Sequence, residues 1–144
     1  MKNAPYPCFW FDNQAQEAAH FYISVFKEGK ILSENAFVVE FEIMGRKFMA
    51  MNGGPKFTFT EATSMVITCK DQTEIDYYWN ALLAHGGEEN KCGWLKDKYG
   101  LSWQIVPEQL GRLMSNPETA PAVGQALLTM VKLDIAALEK AAGK

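Results

Sequence analysis

Only two histidines, His20 and His85, and three cysteines, Cys8, Cys69 and Cys92, occur in 144 residues. The cysteines are odd in number, far apart and form no C-x-x-C pair. Reduced, cytosolic thiols are the simplest account, with Cys8 and Cys69 as strand core residues. No H-E-x-x-H, His-x-Glu or carboxylate cluster offers a metal site. No G-x-G-x-x-G follows a strand, so a nucleotide-type cofactor loop is missing too. Basic clusters are absent and the net charge is -3, which argues against nucleic acid or an anionic membrane as partner. Apolar residues reach 48%, yet no run approaches the roughly 20 that a spanning helix needs. The opening "MKNAPYPCFWFDN" has no long apolar stretch ahead of a small-residue cleavage site, and the cytoplasm is the expected compartment.

What is present is a pattern that occurs twice within one expected domain, 1–144. The periodicity of "NQAQEAAHFYISVF" predicts a helix, with Asn13 as cap, Gln16 closing the box and Gly29 ending it. Ala15, Ala18, Ala19, Tyr22, Val25 and Phe26 fall on one face. "DQTEIDYYWNALLAHGG" repeats the plan, with Asp71 as cap, Glu74 three residues on and Gly86 as the left-handed stop. Offset by 57 residues, Glu17 meets Glu74, Phe21-Tyr22 meets Tyr78-Trp79, and Gly29 meets Gly86. Each helix follows a short strand, "YPCFWF" or "SMVITC", and precedes further strands. Module one spans about 5–52 and module two about 63–107, with "NGGPKFTFTEA" between them. From about 108 to 142 the chain turns helical, broken at "NPETAP", with Asp134 placed to cap a final turn or two.

The order β-α-β-β-β twice over, with the "D-x-x-G" turn of "DKYGLSWQIVP", resembles the vicinal oxygen chelate superfamily: glyoxalase I, bleomycin-resistance proteins and extradiol dioxygenases. "CFWFDNQAQEAAHFY", "FMAMNGGPKF" and "CGWLKDKYGLSWQIVP" are similar to its PhnB-like branch, whose members often carry a 3-demethylubiquinone methyltransferase name. The loop between "GKILSEN" and "FVVEFEI" is shorter than the branch usually has. The resemblance implies an α+β fold: two βαβββ modules forming an open, cup-like mixed sheet with helices outside, here with a C-terminal helical tail. It also implies a homodimer, with the apolar C-terminal helix as a plausible dimer element.

Alternation within strands then sorts side chains between cup and helix. Ser102, Gln104 and Val106 are expected in the cup, with Trp103 and Ile105 beneath a helix. Ser64, Val66 and Thr68 face in, while Met65, Ile67 and Cys69 pack outward. Phe48, Ala50 and Asn52 face in, with Met49 and Met51 outside. Phe9 and Phe11 face in, leaving Cys8 and Trp10 to the core. A one-residue slip reverses any of these.

Superfamily enzymes hold a divalent metal with His and carboxylate side chains from the first and last strand of each module. The matching positions here are Pro7, Phe48, Ser64 and Gln104, none of which is an imidazole or a carboxylate. Proline and phenylalanine offer no ligating side-chain atom, and Ser and neutral Gln are poor ligands for such a site. The expectation is a metal-free member with no cofactor. Gln104, where metal-bearing relatives have glutamate, keeps the shape without the charge and can donate and accept hydrogen bonds.

The expected ligand pocket has apolar walls and few polar anchors: Phe9, Phe11, Phe41, Phe48 and Trp94, with Asn52, Ser64, Thr68 and Gln104. Two functions follow: a binding protein for a small, partly aromatic molecule, or a metal-independent isomerase, lyase or transferase. In the second, Gln104 and Asn52 polarise a carbonyl, with Cys92, beside Lys91 and Lys96, as a nucleophile that lacks a nearby histidine base. Lys96 meets an anionic ligand if its strand turns it inward, and otherwise lies at a solvated edge. Asp97 is read as stabilising the turn closed by Gly100.

Overall fold

The computed structural model describes residues 3–144. The chain divides into two compact units, 1–59 and 60–144, each carrying one four-stranded mixed sheet. In the first, β1 (Cys8–Phe11) leads to α1 (Ala15–Phe26), then β2 (Gly29–Glu34), β3 (Val38–Ile43) and β4 (Arg46–Asn52). The strand order is β1-β4-β3-β2, with β1 parallel to β4 and the other pairs antiparallel. In the second, β5 (Ser64–Cys69) leads to α2 (Gln72–Leu83), β6 (Glu88–Glu89), β7 (Trp94–Lys96) and β8 (Ser102–Pro107), ordered β5-β8-β7-β6. The α+β class and the twofold βαβββ plan are those the pattern predicts. Three short helices close the second unit: α3 (Gln109–Ser115), α4 (Ala120–Leu128) and α5 (Ile135–Ala141).

Each helix covers one face of its own sheet. In unit two the covered face is as expected: Cys69, Leu95, Trp103 and Ile105 are buried while Val66 is 56% exposed. In unit one the sidedness is the reverse of the expectation. Phe9, Phe11, Phe41 and Phe48 are buried, whereas Cys8 is exposed and Trp10 and Met49 are half-buried. The face of these phenylalanines is the one turned to α1. Asn52 on that face bonds the first helical N–H, and a side chain at Gly29, paired with Ile43, would meet Ile23 of α1. Phe48 stacks on both Phe9 and Phe41, at ring separations of 5.9 and 5.6 Å. These four residues are core, not a pocket wall.

The reason lies in a loop. Three residues, 12–14, separate β1 from α1, and two, 70–71, separate β5 from α2. The helices therefore align at an offset of 57, but Phe11 is the counterpart of Cys69, one residue further. With a side-chain period of two, that one residue turns the whole strand over.

Helix ends differ from expectation in the same unit. Asn13 does not cap α1; the Ala15 N–H donates instead to Asn52 Oδ1 at 2.8 Å, from β4. The left-handed stop is Lys27 at φ 65, not Gly29, and Lys27 N–H bonds Ile23 O. In unit two Asp71 does cap, accepting from Glu74 N–H at 2.9 Å, and after α2 both His85, at φ 68, and the expected Gly86, at φ 121, have positive φ. Asp134 caps α5 through Ala137 N–H.

Candidate functional site

The site begins at a turn. Asp97, 2% exposed, accepts hydrogen bonds on Oδ1 from the Tyr99 and Leu101 N–H groups at 2.9 and 3.1 Å. Its Oδ2 accepts from Trp103 Nε1 at 2.9 Å. Gly100, at φ 89, donates its N–H to Asp97 O and closes the turn as expected. The turn role of Asp97 is therefore seen, and the bond to Trp103 adds a second one. It fixes Trp103 to the α2 side, and alternation then sends Gln104 to the open face.

On that face Gln104 Nε2 donates to Ser64 Oγ at 2.7 Å. Trp94 lies directly across from Gln104, and Ser102 across from Lys96. Thr68 and Val66 are exposed beside them, with Ser64, Trp94 and Gln104 half-buried. Ser102 is 1% exposed, and its Oγ has no hydrogen-bond partner among the described residues. Lys96 does turn to this face, where Glu61 holds it at 3.2 Å. The Glu61 carboxyl is kept below its ordinary range, first by a hydrogen bond from its own backbone and then by Lys96. Glu61 was not legible as a site residue, because nothing in "FTEATS" distinguishes it from any solvated loop acid. A cavity of about 250 Å³, lined by Glu61, Glu88, Glu89, Asn90 and Lys96, adjoins the ammonium.

The structure thus brings Ser64, Thr68, Trp94 and Gln104 to one surface, and places the other expected pocket residues elsewhere. Phe9, Phe11, Phe41 and Phe48 lie beneath α1. Asn52 is fully engaged, its Nδ2 donating to Gln16 Oε1 and Ala36 O at 3.0 and 3.1 Å while its Oδ1 caps α1. Cys92 is half-buried in the loop before β7, and no histidine is near it in sequence. Cys69 is buried, and its thiol is pushed up to about 12 by that burial, with Glu74 and Asp71 adding to it. It is an inert core thiol. Cys8 is exposed, against the expectation of a core residue, because its strand is turned over.

The residues at the expected metal positions do not fit a divalent ion. Pro7 is exposed ahead of β1, Phe48 is buried under α1, and Ser64 and Gln104 bond each other. The observed register makes Met49, not Phe48, the counterpart of Gln104, since Phe11 pairs with Asn52 and Cys69 with Pro107. Methionine supplies only a soft thioether, unsuited to a hard His-carboxylate site. Among the described residues no three His, Cys, Asp or Glu side chains gather where a metal ion could be held. His20 instead approaches Glu34 at 3.5 Å on the surface.

A family profile described as 3-demethylubiquinone-9 3-methyltransferase matches residues 3–106. The chain belongs to that family. Among solved structures, a PhnB protein from Bacillus cereus, named for the same methyltransferase, is 29% identical with a TM-score of 0.66, over 73% of this chain and 99% of its own. A glyoxalase/bleomycin resistance protein from Albidiferax ferrireducens T118 is 14% identical with a TM-score of 0.55, over 72% and 96% of the two chains. The fosfomycin resistance protein FosX from Listeria monocytogenes, solved with manganese(II) and sulfate, is 13% identical with a TM-score of 0.60, over 80% and 97%. The fold is accordingly that of the vicinal oxygen chelate superfamily. No curated protein matches the chain. The PhnB-like family label names an activity for which this chain has no glycine-rich cofactor loop. No helix among the described residues is long and apolar enough to cross a membrane.

Proposed function

We propose that this PhnB-like chain binds a small, neutral, partly aromatic molecule on the open face of its second sheet, without a resident metal. One observation carries the reading. Gln104, where metal-bearing relatives are expected to have glutamate, donates to Ser64 at 2.7 Å and keeps its amide carbonyl as an acceptor beside Trp94. A neutral amide next to an aromatic wall suits a polar, uncharged group on a flat ligand. Lys96 is already paired with Glu61, so an anionic ligand meets a neutralised cation. The working unit is a homodimer in the cytoplasm; a monomer by light scattering at micromolar concentration contradicts the dimer.

The experiment begins with metal content, by mass spectrometry on untagged protein purified without chelators. Near-stoichiometric zinc, nickel, iron or manganese overturns the reading. Metal-free, folded protein leads to a ligand screen by NMR, in which Gln104→Ala is expected to weaken the retained ligand about tenfold, as loss of one or two buried hydrogen bonds does. Binding that ignores Gln104→Ala removes this residue from the site. Turnover of the retained ligand would favour the metal-independent enzyme instead.

A further inference from the structure

The family profile ends at residue 106, so α3–α5 have to be explained from this chain alone. Leu113, Val123 and Leu138 of these helices share a core with Leu133, which lies between α4 and α5. Between α4 and α5 runs a strap, 129–134, held from two sides. On one side, Cys92 N–H donates to Met130 O and Gly93 N–H to Val131 O, both at 2.8 Å. On the other side stands Gln72, the first residue of α2. Its Nε2 donates to Leu133 O and its Oε1 accepts from Ile135 N–H, each at 2.9 Å. Gln72 Nε2 also reaches Asp76 Oδ1 at 3.1 Å, and Lys132 of the strap pairs with the same oxygen at 2.9 Å.

The loop that the strap grips is unusual in conformation. Cys92 and Gly93 are both left-handed, at φ 62 and 83. For a cysteine that conformation is uphill and persists only where the surroundings fix it. Gly93 packs closely as well: a Cβ there would lie 3.0 Å from Leu133 Cγ and from Ile105 O, and its positive φ disfavours any side chain. The next residue is Trp94, across from Gln104 on the open face.

We propose that the 129–134 strap is a latch with Gln72 as its keystone. It holds Cys92 and Gly93 in their left-handed turn and so sets Trp94 on the ligand face. Released, the loop relaxes and Trp94 leaves its position opposite Gln104. The importance of Trp94 rests on the binding reading, but the latch is tested without a ligand, so the two can fail separately.

The test compares wild type with Gln72→Ala, both in a Cys8→Ser background. Thiol labelling of Cys92, amide exchange and the Trp94 indole NMR signal are followed together. With Gln72→Ala, labelling of Cys92 and exchange of the Cys92 and Gly93 amides are expected to rise roughly tenfold, the effect of losing a half-buried amide's hydrogen bonds. The Trp94 indole signal should shift while that of Trp10, in unit one, stays. A folded Gln72→Ala protein with unchanged Cys92 labelling and an unmoved Trp94 signal overturns the proposal. Should Gln72→Ala not fold, wild-type exchange decides. The amides of Cys92 and Gly93 are expected to open together with those of Ile135 and Leu138, ahead of Trp103 and Gln104. Opening together with Trp103 and Gln104 overturns the latch.

Discussion

The two modules share one plan, yet at the helices' offset of 57 their first strands face opposite ways: Phe9 and Phe11 are buried where Val66 and Thr68 are exposed. In unit two the residues at even positions of β5, Ser64, Val66 and Thr68, face away from the helix. In unit one the residues at odd positions of β1, Phe9 and Phe11, face towards it. One extra loop residue accounts for the change. The helices remain aligned because their own apolar stripes dictate how they sit, and the strand gives way instead. A duplication visible at the level of helices therefore does not license copying side-chain direction from one strand to its counterpart.

The largest expected effect comes from breaking this comparison at the core. Phe41→Ala, beneath α1, should destabilise by about 3–5 kcal/mol, whereas Val66→Ala on the open face should stay within about 0.5 kcal/mol. Urea unfolding of both variants measures this. Equal losses would mean that Phe41 and Val66 share one kind of environment, as the alternation first suggested.

Next come the caps. Asn52→Ala removes an α1 cap together with two further amide hydrogen bonds and is expected to cost about 2 kcal/mol; Asp71→Ala removes one local cap and should cost about 1 kcal/mol. Thermal unfolding of the pair ranks them, and a reversed order would show that α1 is capped locally after all.

The cysteines report parity directly. Cys8 should react with an aromatic disulfide reagent more than about 100-fold faster than Cys69 in the folded protein, because Cys69 must await an opening event. Comparable rates would contradict the turned-over strand.

The smallest effect is electrostatic and belongs to unit two. The Asp76 carboxyl is held below its ordinary value, first by the Lys132 ammonium and then by the Gln72 amide. A depressed carboxyl contributes stability above its unfolded pKa and loses it as pH falls through the lowered folded value. Protection of the Ile135 amide, relative to its intrinsic exchange rate at each pH, should therefore fall only in acid below the usual carboxylate range, and modestly, since the pair is exposed. Loss of protection near neutrality would implicate another group.

The sequence by itself determined which elements form and in what order. Helical periodicity, Asp71 and Asp134 as caps, and the Asp97–Gly100 turn are all local signals, readable within a few residues. Gln104 was legible for the same reason: a polar residue between Trp103 and Ile105 in a strand launched by a tight turn has only one side to go. The tertiary structure alone decided the facing of β1. "CFWF" is apolar at every position, so its alternation carries no sign, and the sign came from loop length and the packing of α1. It also decided that Asn52 caps a helix 37 residues before it, and that Glu61 meets Lys96. It placed Gln72 on a strap 61 residues away as well. Those contacts join residues whose neighbours in the chain give no hint of each other, and only the folded backbone brings them within hydrogen-bonding distance.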